Sequence, residues 1–166
     1  MRIRNERPSD AAAIEAVTVS AFRDAEHTDH TEQFIIRELR KHGALAVSLV
    51  AEDCNAVIGH VAISPVTISD STPGWYGLGP ISIVPEHQRN SIGTELMNHA
   101  LRKLRDSGAA GCVVLGDPAY YSRFGFAPKP SLVLPNVPQE YFQVILFKGP
   151  LPSGTVSYHD AFSANA

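Results

Sequence analysis

Cysteine is nearly absent from this chain: only Cys54 and Cys112 occur, too few for a disulfide framework and suited to a reducing compartment. No apolar run reaches the roughly 20 residues of a membrane span. The opening residues Met1-Arg2-Ile3-Arg4-Asn5-Glu6 lack the apolar stretch of a signal peptide. A cytoplasmic location is therefore the expectation. Basic clusters are missing too. Fourteen Lys+Arg stand against 17 Asp+Glu, for a net charge of -3, which argues against a nucleic-acid partner. Internal repeats and low-complexity tracts are also lacking. What remains is an ordinary globular composition: 166 residues, 44% apolar and 19% charged, read as a single domain over 1–166 with room for a real core.

Taken in order, Arg2 to Asn5 reads as a short strand, closed by Arg7-Pro8-Ser9-Asp10. Pro8, Ser9 and Asp10 are helix-start residues, and Ile14, Val17, Ala21 and Phe22 mark one helical face. A polar break runs from Asp24 to His30, where Asp29 and Glu32 have the spacing of a capping box. The second helix buries Phe34, Ile35 and Leu39 and closes with Arg40-Lys41-His42-Gly43. Ala44 to Ala51 is expected as a strand, Glu52 to Asn55 as a turn, and Val57 to Ile68 as the return strand of a hairpin. Trp75 to Val84 is the next strand, with Gly79-Pro80 in its middle, where a central strand tolerates neither residue well. A bulge is the economical reading, and bulges concentrate beside active sites.

The stretch from Val84 to Met97 is the most informative. Ile81, Ile83 and Val84 end at Pro85, a polar turn follows, and Ile92, Leu96, Met97, Ala100, Leu101 and Leu104 then recur at helical spacing up to Ser107-Gly108. A helix N-terminus presents unpaired N–H groups and a positive dipole end, so this turn is a seat for an anion such as a phosphate. Ser91, Gly93 and Thr94 are small enough for a diphosphate to approach the backbone, and Arg89 adds a charge at the mouth. Phosphate-loop and dinucleotide fingerprints do not fit, since neither a Gly-Lys-Ser/Thr ending nor further glycines at the right steps are present. Beyond the helix, Gly111 to Leu115 is a wholly apolar strand, parallel to Trp75–Val84 through a βαβ crossover. A short helix ending at Gly125, a Pro-rich connection from Pro128 to Pro138, a strand from Phe142 to Phe147 and a last strand from Gly154 to Tyr158 complete the chain. The order β-α-α-β-β-β-α-β-α-β is that of a mixed α/β sheet.

Gln88-Arg89-Asn90-Ser91-Ile92-Gly93 resembles the acetyl-CoA pyrophosphate loop of the GNAT acetyltransferase superfamily, Gln/Arg-x-x-Gly-x-Gly/Ala, with Ser91 in the place of the first glycine. Ile81 to Pro85 resembles that family's fourth strand, and Tyr121-Ser122-Arg123-Phe124-Gly125-Phe126 its Tyr-x-x-x-Gly-Phe signature. Gly77-Leu78-Gly79-Pro80, Val114 to Tyr121 and Pro138 to Phe142 bring the chain nearest the YhbS-like branch. The family's frequent asparagine ahead of the tyrosine helix is replaced here by Gly116-Asp117-Pro118. The resemblance implies the GNAT acyl-CoA N-acyltransferase fold, a central bulged, partly parallel sheet flanked by helices. It also implies an N-acetyltransferase with acetyl-CoA as co-substrate and no metal. Cofactor contacts would fall to Ile81, Ser82 and Ile83 along the pantetheine, and to Gln88, Arg89, Asn90, Ser91, Ile92, Gly93 and Thr94 at the phosphates. Tyr121, not Tyr120, would protonate the departing thiolate. The partner implied is a small-molecule or peptide amine, and a homodimer is common among similar proteins. A non-catalytic acyl-CoA binding or sensing module on the same fold is the alternative.

An attacking amine must be neutral, so a base or water chain has to take a proton from an ammonium of pKa about 10. Asp29, His30, Glu32, Glu52 and Glu140 lie on segments that could face the acceptor, and each reads more readily as a cap or a solvated charge than as a base. The base stays unassigned. His27, Asp29 and His30 sit close in sequence but lack further ligands at recognisable spacing, and no metal site is expected. Cys112, in an apolar strand, reads as a core filler and not a nucleophile.

Overall fold

Alternation of apolar residues builds the sheet, and helical spacing decides which face each helix covers. The computed structural model describes residues 1–25 and 28–166. Its strands are β1 (Arg2–Asn5), β2 (Val47–Asp53), β3 (Ala56–Ile68), β4 (Trp75–Ile83), β5 (Gly111–Leu115), β6 (Leu132–Val133), β7 (Phe142–Leu146) and β8 (Gly154–Tyr158). Its helices are α1 (Ala11–Phe22), α2 (Glu32–Lys41), α3 (Ile92–Asp106) and the single-turn α4 (Pro118–Tyr121), which continues as a 3-10 turn over Ser122–Phe124. The main sheet runs β1-β2-β3-β4-β5-β7, while β8 pairs with the far end of β3 and β6 pairs with β8. All neighbours in the main sheet are antiparallel except β4 and β5.

On one face, Leu96, Met97, Ala100 and Leu104 of α3 pack against Leu49, Val61 and Ile63. Successive strand residues point to opposite faces, so Val50, next to Leu49, meets Ile14 of α1 and Ile36 of α2 on the other side. Charged pairs then fasten the edge. Arg4 donates twice to Asp10, at 2.7 and 3.1 Å, and to Glu52 at 2.8 Å. Arg40 of α2 makes a two-pronged contact with Glu6, both bonds at 2.9 Å.

The expected order of elements is the observed one, with local corrections. The helix-start box is not Asp29–Glu32: Thr28 donates its hydroxyl to Glu32 at 2.6 Å and accepts from His30 N–H. A box-like return bond occurs instead at Asp10, which accepts from the Arg7 N–H at 2.6 Å. The strand expected from Ala44 begins at Val47, because the Ala44 N–H is spent on Leu39 O at 2.8 Å in closing α2. The hairpin turn is shorter than Glu52–Asn55. Only Cys54 and Asn55 form it, with φ of 49° and 63°, the pairing of left-handed residues a tight hairpin uses. The Pro-rich connection also contains the two residues of β6.

Candidate active site

The site grows out of a disagreement between β4 and its two neighbours. Against β3 the register gives Ile63↔Leu78 and then Val61↔Ile81, so Gly79 and Pro80 together oppose Ala62. This is the bulge read from the sequence, and Gly79 sits there at φ 135°, a backbone that favours glycine. Against β5 the parallel pairing covers Trp75 to Gly77 and goes no further. From Leu78 onward, one edge of β4 is therefore without β5. The Val84 N–H donates to Ile58 O at 2.9 Å. By alternation, the main-chain groups of Ile81 and Ile83 then point to the opposite, open edge. The Gln88 side chain confirms the direction, donating to Ile83 O at 3.0 Å.

A 3-10 turn at Pro85–His87 carries the chain from this strand into α3. Arg89 and Ser91 both take left-handed backbone, at φ 69° and 65°, which gathers successive N–H groups into a concavity suited to an anion. Serine at position 91 thus adopts the conformation that a glycine would adopt more easily. The first intrahelical bond of α3 runs from Glu95 N to Ser91 O, leaving the N–H groups of Ile92, Gly93 and Thr94 without helical partners.

Tyr120 closes the opposite wall, while Tyr121 lies behind it outside the groove lining, and the two rings do different things. Tyr120, set aside in the sequence reading, stands over the start of α3: its hydroxyl lies 2.9 Å from where a Cβ on Gly93 would be. It is half-buried, and the Arg123 guanidinium covers its ring at 4.5 Å. Tyr121 is more deeply placed. Its ring lies on Gly116, where a Cβ would approach to 2.4 Å, and meets Tyr120 and Phe126 edge-on at 4.9 and 6.1 Å. Burial pushes its hydroxyl up to about 12. Asp117, in the neighbourhood of the family's asparagine, caps α4 by accepting from the Ala119 N–H at 2.9 Å.

Two adjoining hollows of about 230 and 300 Å³ share Ile83, Gln88, Gly93 and Tyr120. Ala21, Phe22 and Ala25, at and just past the end of α1, flank the first together with Ile81. His87, Arg89 and Arg123 line the second, and among the described residues neither hollow has a carboxylate in its lining. The groove is thus apolar at one end and cationic at the other. Of the residues singled out in the sequence, Ile81, Ile83, Gln88, Arg89, Ser91, Gly93 and Thr94 line these two hollows. Asn90 is exposed beside them, and Ile92 is buried under α3 as core. Ser82 does not join them: its side chain is 1% exposed and points to the α1 face, opposite Ile81 and Ile83.

The base candidates lie elsewhere. Asp29, His30 and Glu140 are exposed outside both hollows, Glu32 is held by Thr28, and Glu52 is paired with Arg2 and Arg4. His27 lies outside the described residues, and among those described no three metal-ligating side chains gather. Cys112 is fully buried, and its thiol is pushed well above the usual range.

The acetyltransferase (GNAT) family model matches residues 11–126. The chain belongs to the GNAT acetyltransferase family. The N-acetyltransferase YhbS of Escherichia coli K12 is 37% identical over 127 residues, 76% of this chain and 73% of that protein. A GNAT family acetyltransferase from Brucella melitensis, solved in complex with acetyl-CoA, is 46% identical with a TM-score of 0.86 over 97% of both chains. The structure of E. coli YhbS in complex with CoA gives 33% identity and a TM-score of 0.87, over 99% of this chain and 93% of that one. The GNAT resemblance noted in the loop and the tyrosine helix thus extends to the whole fold.

Neither Tyr120 nor Arg123 was marked as a groove residue by the GNAT motifs. Arg123 was visible in principle, being three residues beyond Tyr120 and so on the same side of a helical turn.

Proposed function

We propose that this GNAT chain transfers the acetyl group of acetyl-CoA to the amine of a small molecule or peptide by direct attack. The observation that carries the reading is the continuity of one groove. Unpaired N–H groups at the start of α3 and the charges of Arg89 and Arg123 lie at one end, and the open edge of β4 lies at the other. A diphosphate would be held by the Gln88–Thr94 loop, and the pantetheine would lie along Ile81 and Ile83 as an added strand. The complexes of the Brucella protein with acetyl-CoA and of YhbS with CoA support this choice of co-substrate. Ser82 drops out of the cofactor contacts, and Tyr120 joins them.

The neutral amine attacks the thioester carbonyl, the oxyanion is held by main-chain N–H groups freed at the bulge, and the C–S bond then breaks. Tyr121 serves the departing sulfur. With its hydroxyl at about 12 and a free thiol at about 8.5, complete transfer would run uphill by about 5 kcal/mol. The phenol and the leaving thiol are therefore not matched for full proton transfer. Burial raises the thiolate along with the phenol, and a hydrogen bond to the sulfur as the bond breaks captures most of the benefit.

The test is thiol release from acetyl-CoA with a panel of amines, run beside CoA titrations. Tyr121→Phe should lower kcat by about 100-fold and leave CoA affinity within about twofold. Tight CoA binding with no amine turned over by the unaltered protein would favour the binding or sensing module instead.

A further inference from the structure

The proposed diphosphate seat is complete without Arg123. A diphosphate on the loop already meets the unpaired N–H groups at the start of α3 and the charge of Arg89, which lines the same hollow. Arg123 is a further cation, and it comes from the facing wall. Three contacts hold its side chain. The guanidinium carbon lies 4.5 Å from the centre of the Tyr120 ring and 5.7 Å from that of Phe124, and Nε donates to Tyr120 O at 3.3 Å. Stacking on two rings restricts an otherwise flexible arginine and leaves its terminal nitrogens as donors. No carboxylate pairs with Arg123 among the described residues, whereas Arg2, Arg4, Arg37 and Arg40 each have one.

Its place separates it from the diphosphate. The Tyr120 hydroxyl, not the guanidinium, reaches the first turn of α3, lying 2.9 Å from where a Cβ on Gly93 would be. Arg123 rests on the face of that ring and so stands beside the loop, about one ring away. It lines the cationic hollow and not the apolar one. With the pantetheine along Ile81 and Ile83, the nucleotide must leave the diphosphate the other way, over the cationic hollow. CoA carries a third phosphate there, on the ribose 3′ oxygen, one sugar ring from the diphosphate. A planar guanidinium can engage two oxygens of such a group at once.

We infer that Arg123 binds the 3′-phosphate of CoA and makes the protein select CoA over its 3′-dephospho form. This rests on the acetyl-CoA reading of the groove. Tyr120 is the platform that sets the guanidinium, and Arg89 stays with the diphosphate. The contact is far from the thioester, so it is made equally before and during acetyl transfer and acts on binding alone.

The experiment titrates CoA and dephospho-CoA, which differ only in that phosphate, into the unaltered protein, Arg123→Gln and Arg89→Gln. The unaltered protein should bind CoA about tenfold more tightly than dephospho-CoA. Arg123→Gln should bring the two within about twofold of each other by weakening CoA alone, whereas Arg89→Gln should weaken both and keep the preference. Arg123 is exposed, so its variant should melt with the unaltered protein. With an amine that is turned over, acetyl-dephospho-CoA should show a KM about tenfold higher at unchanged kcat. The titrations need no turnover, so they decide the assignment whether the protein transfers acetyl groups or only binds CoA. Equal affinity of the unaltered protein for both carriers, or an equal loss for both in Arg123→Gln, would overturn the assignment while the acetyl-CoA reading stands. Binding of neither carrier by the unaltered protein would remove that reading and the assignment with it.

Discussion

Gly93 and Tyr120 occupy one space between them, and the hydroxyl is where a methyl group would be. The obstruction is the tip of a side chain that can swing, so Gly93→Ala should fold with stability changed by no more than about 1 kcal/mol. The swing moves Tyr120 and the Arg123 stacked on it, and CoA affinity should fall about tenfold, equivalent to about 1.4 kcal/mol. Thermal melting beside CoA titration separates the two effects. A second expectation concerns Tyr121. Its hydroxyl is pushed up to about 12, so it stays protonated across the working range. The pH profile of kcat/KM should show no descending limb from this group below about pH 11. A limb near 10 that disappears in Tyr121→Phe would show an exposed phenol instead. Stability follows the same sign. A phenol held neutral in the folded state contributes nothing lost below about 10, and it weakens the fold only as pH rises from there toward 12.

At the scale of elements, the bulge decides what β4 can do. Gly79 at φ 135° has open space around its missing side chain, so any substitution there acts through the backbone alone. Gly79→Ala should cost about 1–3 kcal/mol, read as a lower midpoint in denaturant, and should reduce turnover by disturbing the amides beside it. This feature was legible in the sequence because two strand breakers sat inside an apolar run that continued past them. The loop into α3 was legible for the same local reason. Small residues stood ahead of a strongly periodic helix, although only the backbone shows that Ser91 is left-handed. The place of Tyr120 over Gly93 and the His60–Ser48–Glu6 chain were not legible, because each depends on residues far apart in sequence meeting in the fold. The capping box was misread because Thr28, Asp29 and Thr31 all carry oxygens that could serve Glu32, and spacing alone does not choose among them.

For the molecule as a whole, three carboxylates hold the first segment to the sheet. Glu6, Asp10 and Glu52 all sit below their ordinary range. Hydrogen bonds from Arg4 dominate at Asp10 and Glu52; at Glu6, bonds from His60, Arg40 and Ser48 outweigh the opposing effect of burial. Carboxylates depressed in this way contribute stability that is complete above about pH 4.5 and is lost as pH falls through their folded values. Asp10→Asn should destabilise the protein at neutral pH by about 3 kcal/mol, since it leaves Arg4 facing Glu52 alone in a largely buried setting. The gap between variant and parent, followed by denaturant titration, should narrow as the solution is acidified toward pH 2. A gap that stays constant would mean the pair contributes by packing and not by charge.

The outer half of β3 is completed by β8, and Ile35 and Leu39 of α2 are covered by Ala161. Elements made early in synthesis are therefore finished by residues made late. On the ribosome, α2 and the far end of β3 stay unroofed until the stretch beyond Gly154 has emerged, so a nascent chain of this kind closes in one late step.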